Sequence, residues 1–167
     1  MVPVLYAKAW GETGQRYVPA EEPVPLTVRI ALDTNLLVSA LIRPAGSAAR
    51  ILRWWRDGKL AVVASESTLR EAELVLGAGW LANLSPAEAV EALLHDLREN
   101  AILVRTEHPP ELTLRDRGDR DLVAAAAAGG ARYLVTADQE VLLQRGYGDV
   151  EFITSGEFVE RMTRDWE

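Results

Sequence analysis

The 167-residue sequence predicts an α/β protein, a three-layer α/β/α sandwich around a parallel sheet of about five strands. Three observations lead there. Short apolar runs alternate with segments of helical period, the pattern of strands joined by helices. The runs are apolar at nearly every position rather than at every second one, as in strands covered on both faces. Strands separated by helices pair in parallel through right-handed crossovers. A single domain of this length buries about 70% of its unfolded surface, so it needs no disulfide, and the chain has no cysteine.

Residues 1–27 stand apart as an arm or linker, and residues 28–167 form the folded domain. Val2–Tyr6 is apolar, but beyond it Gly11, Gly14, Pro19, Pro23 and Pro25 interrupt any helix or strand period. Two readings stand for the arm: a poorly ordered terminus, or a strand at Val2–Tyr6 docked on the body or on a second subunit.

From Val28 the elements come in order. Val28–Leu32 (VRIAL) is the first buried strand and ends at Asp33. Ser47–Arg56 is helical, with Ala48, Ile51, Leu52 and Trp55 on one stripe. This leaves the adjacent Trp54 facing outward, to pack on a neighbouring element, stack a base or sit in an interface. Leu60–Ala64 is the second strand. Ser65 or Ser67 caps a helix running to about Leu76. Ser85-Pro86-Ala87-Glu88 reads as a capping box with proline at the first helical position, opening a helix to about Glu99. Ala101–Arg105 is the third strand, and 106–116 a loop with Pro109 and Pro110. An alanine-rich helix spans Asp119–Ala128 and stops at Gly129-Gly130. Arg132–Thr136 is the fourth strand, Gln139–Gln144 a short helix, Val150–Ile153 the fifth strand, and Ser155–Arg164 the last helix.

Composition narrows the function. Twenty-five acidic against 18 basic residues give a net charge of −7, which argues against a general basic coat for nucleic acid. It leaves room for an enzyme that gathers carboxylates around metal ions. Two histidines, His95 and His108, and no cysteine exclude a His-rich or thiolate metal site and a thiol nucleophile. No run of 18 apolar residues and no basic, apolar leader appear, so the expectation is a cytoplasmic protein with no membrane span.

Ligands of open parallel sheets bind beyond the carboxyl ends of the strands. Asp33 comes directly after the first strand and Asp138 after the fourth, so both belong on that rim, with Asn35 and Thr136 beside them as supporting groups. Glu71 adjoins the buried stripe of its helix (Leu69, Ala72, Leu76), with Glu66 and Glu73 as rival acids on that helix. Asp119 shares the buried face with Leu122, Val123 and Ala126, at the helix end that favours an anion. Asp116 either caps this helix or joins the site. Asp121, about 200° further round, points elsewhere. Any one of these acids, taken singly, reads as a turn or cap residue. Four on one rim repel one another unless a cation neutralises them. An all-oxygen donor set suits Mg²⁺ or Mn²⁺ and, with it, phosphodiester hydrolysis.

The segments LDTNLLVSALIRPAGSAARIL (32–52), SESTLREAELVL (65–76), RDRGDRDLVAAAA (115–127) and YLVTADQEVL (133–142) together resemble the PIN-domain ribonucleases. The branch they are most similar to is the VapC-like toxins of toxin–antitoxin systems. The family pattern, carried over residue by residue, implies Asp33, Glu71, Asp119 and Asp138 as catalytic metal ligands, with Asp116 assisting. The motif's usual proline is replaced by Arg117, and the arm has no counterpart. The resemblance implies a metal-dependent endoribonuclease, an RNA substrate, an antitoxin partner and a homodimer.

Arg43, Arg50, Arg53 and Arg56 lie on or before one helix, either to guide phosphate or as a solvated face. Two rival functions compete with the nuclease. A haloacid-dehalogenase-like phosphatase needs a second Asp two residues after the first, and position 35 is Asn. A non-catalytic PIN-like module for RNA or protein binding would not need all four acids.

Overall fold

The computed structural model describes residues 27–106 and 112–166. The arm with its Val2–Tyr6 segment, and His108, lie outside the described residues. Among them run β1 (Val28–Leu32), α1 (Thr34–Ile42), α2 (Ser47–Arg56), β2 (Leu60–Ser65), α3 (Glu66–Leu76), a 3₁₀ turn (Gly79–Asn83), α4 (Ala87–Asn100) and β3 (Ile102–Val104). Then come α5 (Arg117–Ala128), β4 (Tyr133–Val135), α6 (Gln139–Leu143), β5 (Gly146–Tyr147), β6 (Val150–Ile153) and α7 (Ser155–Trp166).

The sheet runs β3-β2-β1-β4-β6-β5, parallel except for β5. Each strand divides its side chains between two cores, because successive residues point to opposite faces. Ile30, Leu32, Val62, Tyr133 and Val135 face one core, closed by α1, α2, α3, α4 and α7. Ala31, Val63 and Leu134 face the other, closed by α5 and α6. The alanines of α5 let it lie close against the sheet; Ala125 and Ala126 are fully buried. This is the three-layer α/β/α architecture expected.

Arg29, the one charged residue of β1, is buried, and its Nη1 donates to the carbonyl of Gly129 at the C-terminus of α5 (2.9 Å). A cation is favoured at that end of a helix. Its Nε and Nη2 have no hydrogen-bond partner among the described residues.

The expected sheet of about five strands is present, with six among the described residues. The extra one, β5, pairs antiparallel with β6 through the two-residue loop Gly148–Asp149, where Gly148 takes φ 56°, the left-handed conformation such a turn requires. Three expectations are corrected. Helix α1, absent from the expected elements, starts directly after Asp33; its TNLLVSALI sequence is apolar almost all round and so offers little amphipathic contrast. Trp54 is buried, not outward. Helix α2 is covered on two sides, and Trp54 meets Phe158 and Trp166 of α7 edge-on at centroid distances of 6.3 and 5.1 Å.

The third correction concerns the Ser85 capping box, which does not form. The α4 N-cap position falls on Pro86 with no side-chain cap bond, and the Ser85 Oγ is buried without a partner among the described residues. The capping box that does form belongs to α3: Ser65 Oγ accepts from the Thr68 N–H and Thr68 Oγ1 from the Ser65 N–H. Ser65, not Ser67, is therefore the cap.

Candidate active site

Chain order runs from β1 outward to β2 on one side, while β4 lies on the other. The crevice beyond the carboxyl ends of β1 and β4 is therefore the switch point at which such sheets bind ligands. Leu32 is in register with Val135, which sets Asp33 beside Thr136. The Thr136 hydroxyl donates to Asp33 Oδ2 (2.7 Å) and accepts from the Asp138 N–H (3.1 Å). Thr136 is fully buried, so this hydroxyl is held away from water and fixes both neighbours.

Each acid after a strand or loop also caps a helix. Asp33 Oδ1 accepts from the Asn35 N–H at the start of α1 (3.3 Å). Asp138 Oδ1 accepts from the Glu140 N–H at the start of α6 (2.8 Å). Asp116 Oδ1 accepts from the Gly118 N–H at the start of α5 (2.6 Å). The cap reading and the site reading thus coexist, because a carboxylate has about four lone-pair sites and a cap occupies one of them. Three helix N-termini converge here, and their dipoles favour the negative charge gathered between them.

Asp119 lies in the first turn of α5 and is half-buried. Burial, then the charges of Asp138, Asp116, Asp33 and Glu140, push its carboxyl up to about 7. Glu71 reaches in from α3. Burial, then Asp116, Asp33 and Asp121, raise its carboxyl as well. Asp33, Glu71, Asp116, Asp119 and Asp138 thus lie near enough for the charges of the others to act on Glu71 or Asp119, although like charges repel. These influences also separate Glu71 from its rivals, since Glu66 pairs with Arg70 (3.3 Å) and Glu73 with Arg98 (2.9 Å). Asn35 is exposed at the start of α1, at the mouth of the crevice.

Two further acids belong to the surroundings. Asp121 does not simply point elsewhere: Ser67 Oγ donates to its Oδ2 (2.7 Å), and its charge reaches Glu71. An angle around α5 alone takes no account of α3 packing alongside. Glu140 accepts from the Arg115 N–H (2.9 Å) and acts on Asp119. Its place two residues after Asp138, in the first turn of a helix, was a signal available in the sequence.

The donor set is oxygen only, as hard divalent cations prefer. Among the described residues no three acidic or imidazole groups stand close enough to share one ion as the side chains lie. The raised Asp119 and Glu71 carboxyls nonetheless mark a cluster held together against its own repulsion, which a cation would relieve. By that chemistry the residues present fit Mg²⁺ or Mn²⁺.

Alongside, an open cleft of ≈ 560 Å³ runs along the carboxyl ends of β2 and β3, lined in part by Ser67, Arg70, Arg105 and Thr106. Of the arginines near α2, Arg53 donates to the Pro44 carbonyl (3.1 Å), Arg56 pairs with Asp96 (2.8 Å) and Arg50 lies over the Trp54 ring (5.3 Å). Arg53 and Arg56 thus tie α2 to the loop before it and to α4, and Arg50 lies along α2.

A family model described as "PIN domain" matches residues 29–140, from the first strand through the fourth strand and Asp138. The chain belongs to the PIN-domain family. The crystal structure of PAE2754 from Pyrobaculum aerophilum shares this fold at a TM-score of 0.51 and 19% identity, over 85% of this chain and 99% of that one. No curated protein matches the chain. PIN domains are in general nucleases that bind nucleic acid and use divalent metals. In this PIN domain the family match encloses every acid named at the switch point, Asp33, Glu71, Asp116, Asp119 and Asp138. No helix of the described residues is long and apolar enough to cross a membrane.

Proposed function

We propose that this PIN domain is a Mg²⁺- or Mn²⁺-dependent endoribonuclease, with Asp33, Glu71, Asp119 and Asp138 as its metal-holding carboxylates. One observation carries the reading: acids from β1, α3, α5 and the β4–α6 junction influence one another at the sheet's switch point. A divalent ion there supplies Lewis acidity toward the scissile phosphate and the attacking water.

The chain's own residues do the rest. Thr136 holds Asp33 and the Asp138 backbone in place. Asp116 stands at the edge of the carboxylate set. Asn35 offers an amide donor at the mouth. Arg70, Arg105, Ser67 and Thr106 give the RNA backbone cationic and hydroxyl partners in the adjoining cleft, which arginine's fork suits.

The test is cleavage of a mixed fluorescent RNA pool with Mn²⁺, beside a chelator control and Asp119→Asn. Cleavage confined to wild type with metal supports the reading. Equal cleavage by Asp119→Asn refutes it.

The resemblance to VapC-like toxins supports a narrower version, an intracellular toxin acting as a homodimer and blocked by a small antitoxin protein. Induction of wild type in a bacterial host should then arrest growth and Asp33→Asn should not. A second reading, a non-catalytic RNA- or protein-binding module, draws on the absence of a closed three-ligand cluster among the described residues. Calorimetry with Mn²⁺ showing no binding would favour it.

A further inference from the structure

Position 118 lies between Asp116 and Asp119, in the first turn of α5. A Cβ placed there would lie 2.9 and 3.1 Å from the two carboxylate oxygens of Glu71 and 3.0 Å from Asp116 Oδ1. The first is closer than a Cβ and an unbonded oxygen come, and the other two are tighter than nearly all such contacts. The Glu71 carboxylate therefore occupies the volume in which any other residue would carry its side chain. The same glycine donates its N–H to Asp116 Oδ1 at 2.6 Å, so it fixes one acid through its backbone and admits another through its missing side chain. Its φ is not in the left-handed region, so backbone conformation does not call for glycine here. In a helix alanine is intrinsically preferred over glycine. Helix stability thus favours a side chain at 118, and the position of Glu71 opposes one.

We propose that Gly118 is a positioning residue of the carboxylate site: the empty space beside its Cα is where Glu71, coming from α3, is received against the N-terminus of α5. Without that space the Glu71 carboxylate, on a side chain already exposed on α3, is displaced from the N-terminus of α5, the acids from β1, β4 and α5 remain, and the set loses the one ligand that α3 supplies. The inference rests on the metal-binding reading of the site and deepens it.

The test is a double-mutant cycle on the metal-free protein, with Mn²⁺ affinity read by calorimetry and folding by thermal melting. Four proteins are compared: wild type, Gly118→Ala, Glu71→Ala and the double variant. Gly118→Ala should melt at or above the wild-type temperature, since what must give is the far end of the flexible Glu71 side chain and, by a few tenths of an ångström, the Asp116 carboxylate. It should bind Mn²⁺ about tenfold more weakly, the size of effect expected when a supporting group around a metal site is lost. In the Glu71→Ala background the same substitution should change the affinity little, because its target is already gone.

Wild-type affinity in Gly118→Ala overturns the inference. An equal loss in both backgrounds overturns it too, by showing that the residue does not act through Glu71. Wild type that binds no Mn²⁺ is a different failure: it overturns the metal-dependent reading, and this inference with it.

Discussion

At Thr136 one hydroxyl gives its proton to Asp33 and its lone pair to the Asp138 N–H, inside a side chain that no water reaches. Thr136→Val keeps the shape and strands both partners. It should cost about 1–3 kcal/mol in urea unfolding, the penalty for a buried polar group left unpaired. Cleavage should fall about 10- to 100-fold, as when a group orienting a ligand is removed, and Thr136→Ser should restore most of both. Asp119→Asn tests the opposite balance. It removes a half-buried charge repelled by Asp138, Asp116, Asp33 and Glu140, so the metal-free variant should melt higher than wild type while losing cleavage. A variant that melts lower would mean that Asp119 stabilises the fold through its charge. Most of these acids were legible in the sequence because each comes after a strand or opens a helix. Their shared hydroxyl partner, and the choice of Glu71 over Glu66 and Glu73, were not, since both depend on what packs opposite.

Local signals place most elements to within about two residues, because apolar runs and helical periods are local properties. Where they fail, a neighbour decides. The period of α2 alone turns Trp54 outward, but α7 covers that second face. Strand β5 is two residues long and has too few positions to show a period. The two serine caps give the sharpest contrast. Ser65 and Ser85 both precede helices with capping sequences, yet only Ser65 makes the bond. Ser65→Ala should therefore cost about 1 kcal/mol. Ser85→Ala should be neutral or stabilising, because it removes a buried hydroxyl with no partner among the described residues. Chemical denaturation of the two variants side by side decides it; a larger loss for Ser85→Ala would show that its hydroxyl is bonded in solution.

For the whole molecule, the gathered acids link stability to pH. Asp119 and Glu71 are both shifted upward, so between the ordinary carboxylate range and about 7 the folded chain holds more protons than the unfolded chain. Their contribution to stability therefore falls as pH rises through that window and is lowest above it. The metal-free protein should melt at a higher temperature at pH 6 than at pH 8. Mn²⁺, which binds the ionised site in the folded state, should raise the melting temperature more at pH 8 than at pH 6. A metal-induced rise independent of pH would separate the ion from these carboxylates.

The α/β class and the positions of the candidate acids were determined by the sequence itself, since each rests on patterns a few residues long. Tertiary structure alone decided how those acids meet. Strand order put Asp33 and Asp138 on adjacent strands across the switch point, and the packing of α3 against α5 brought Glu71 to Gly118. Registers and helix contacts join residues far apart in the chain, and no local period encodes them.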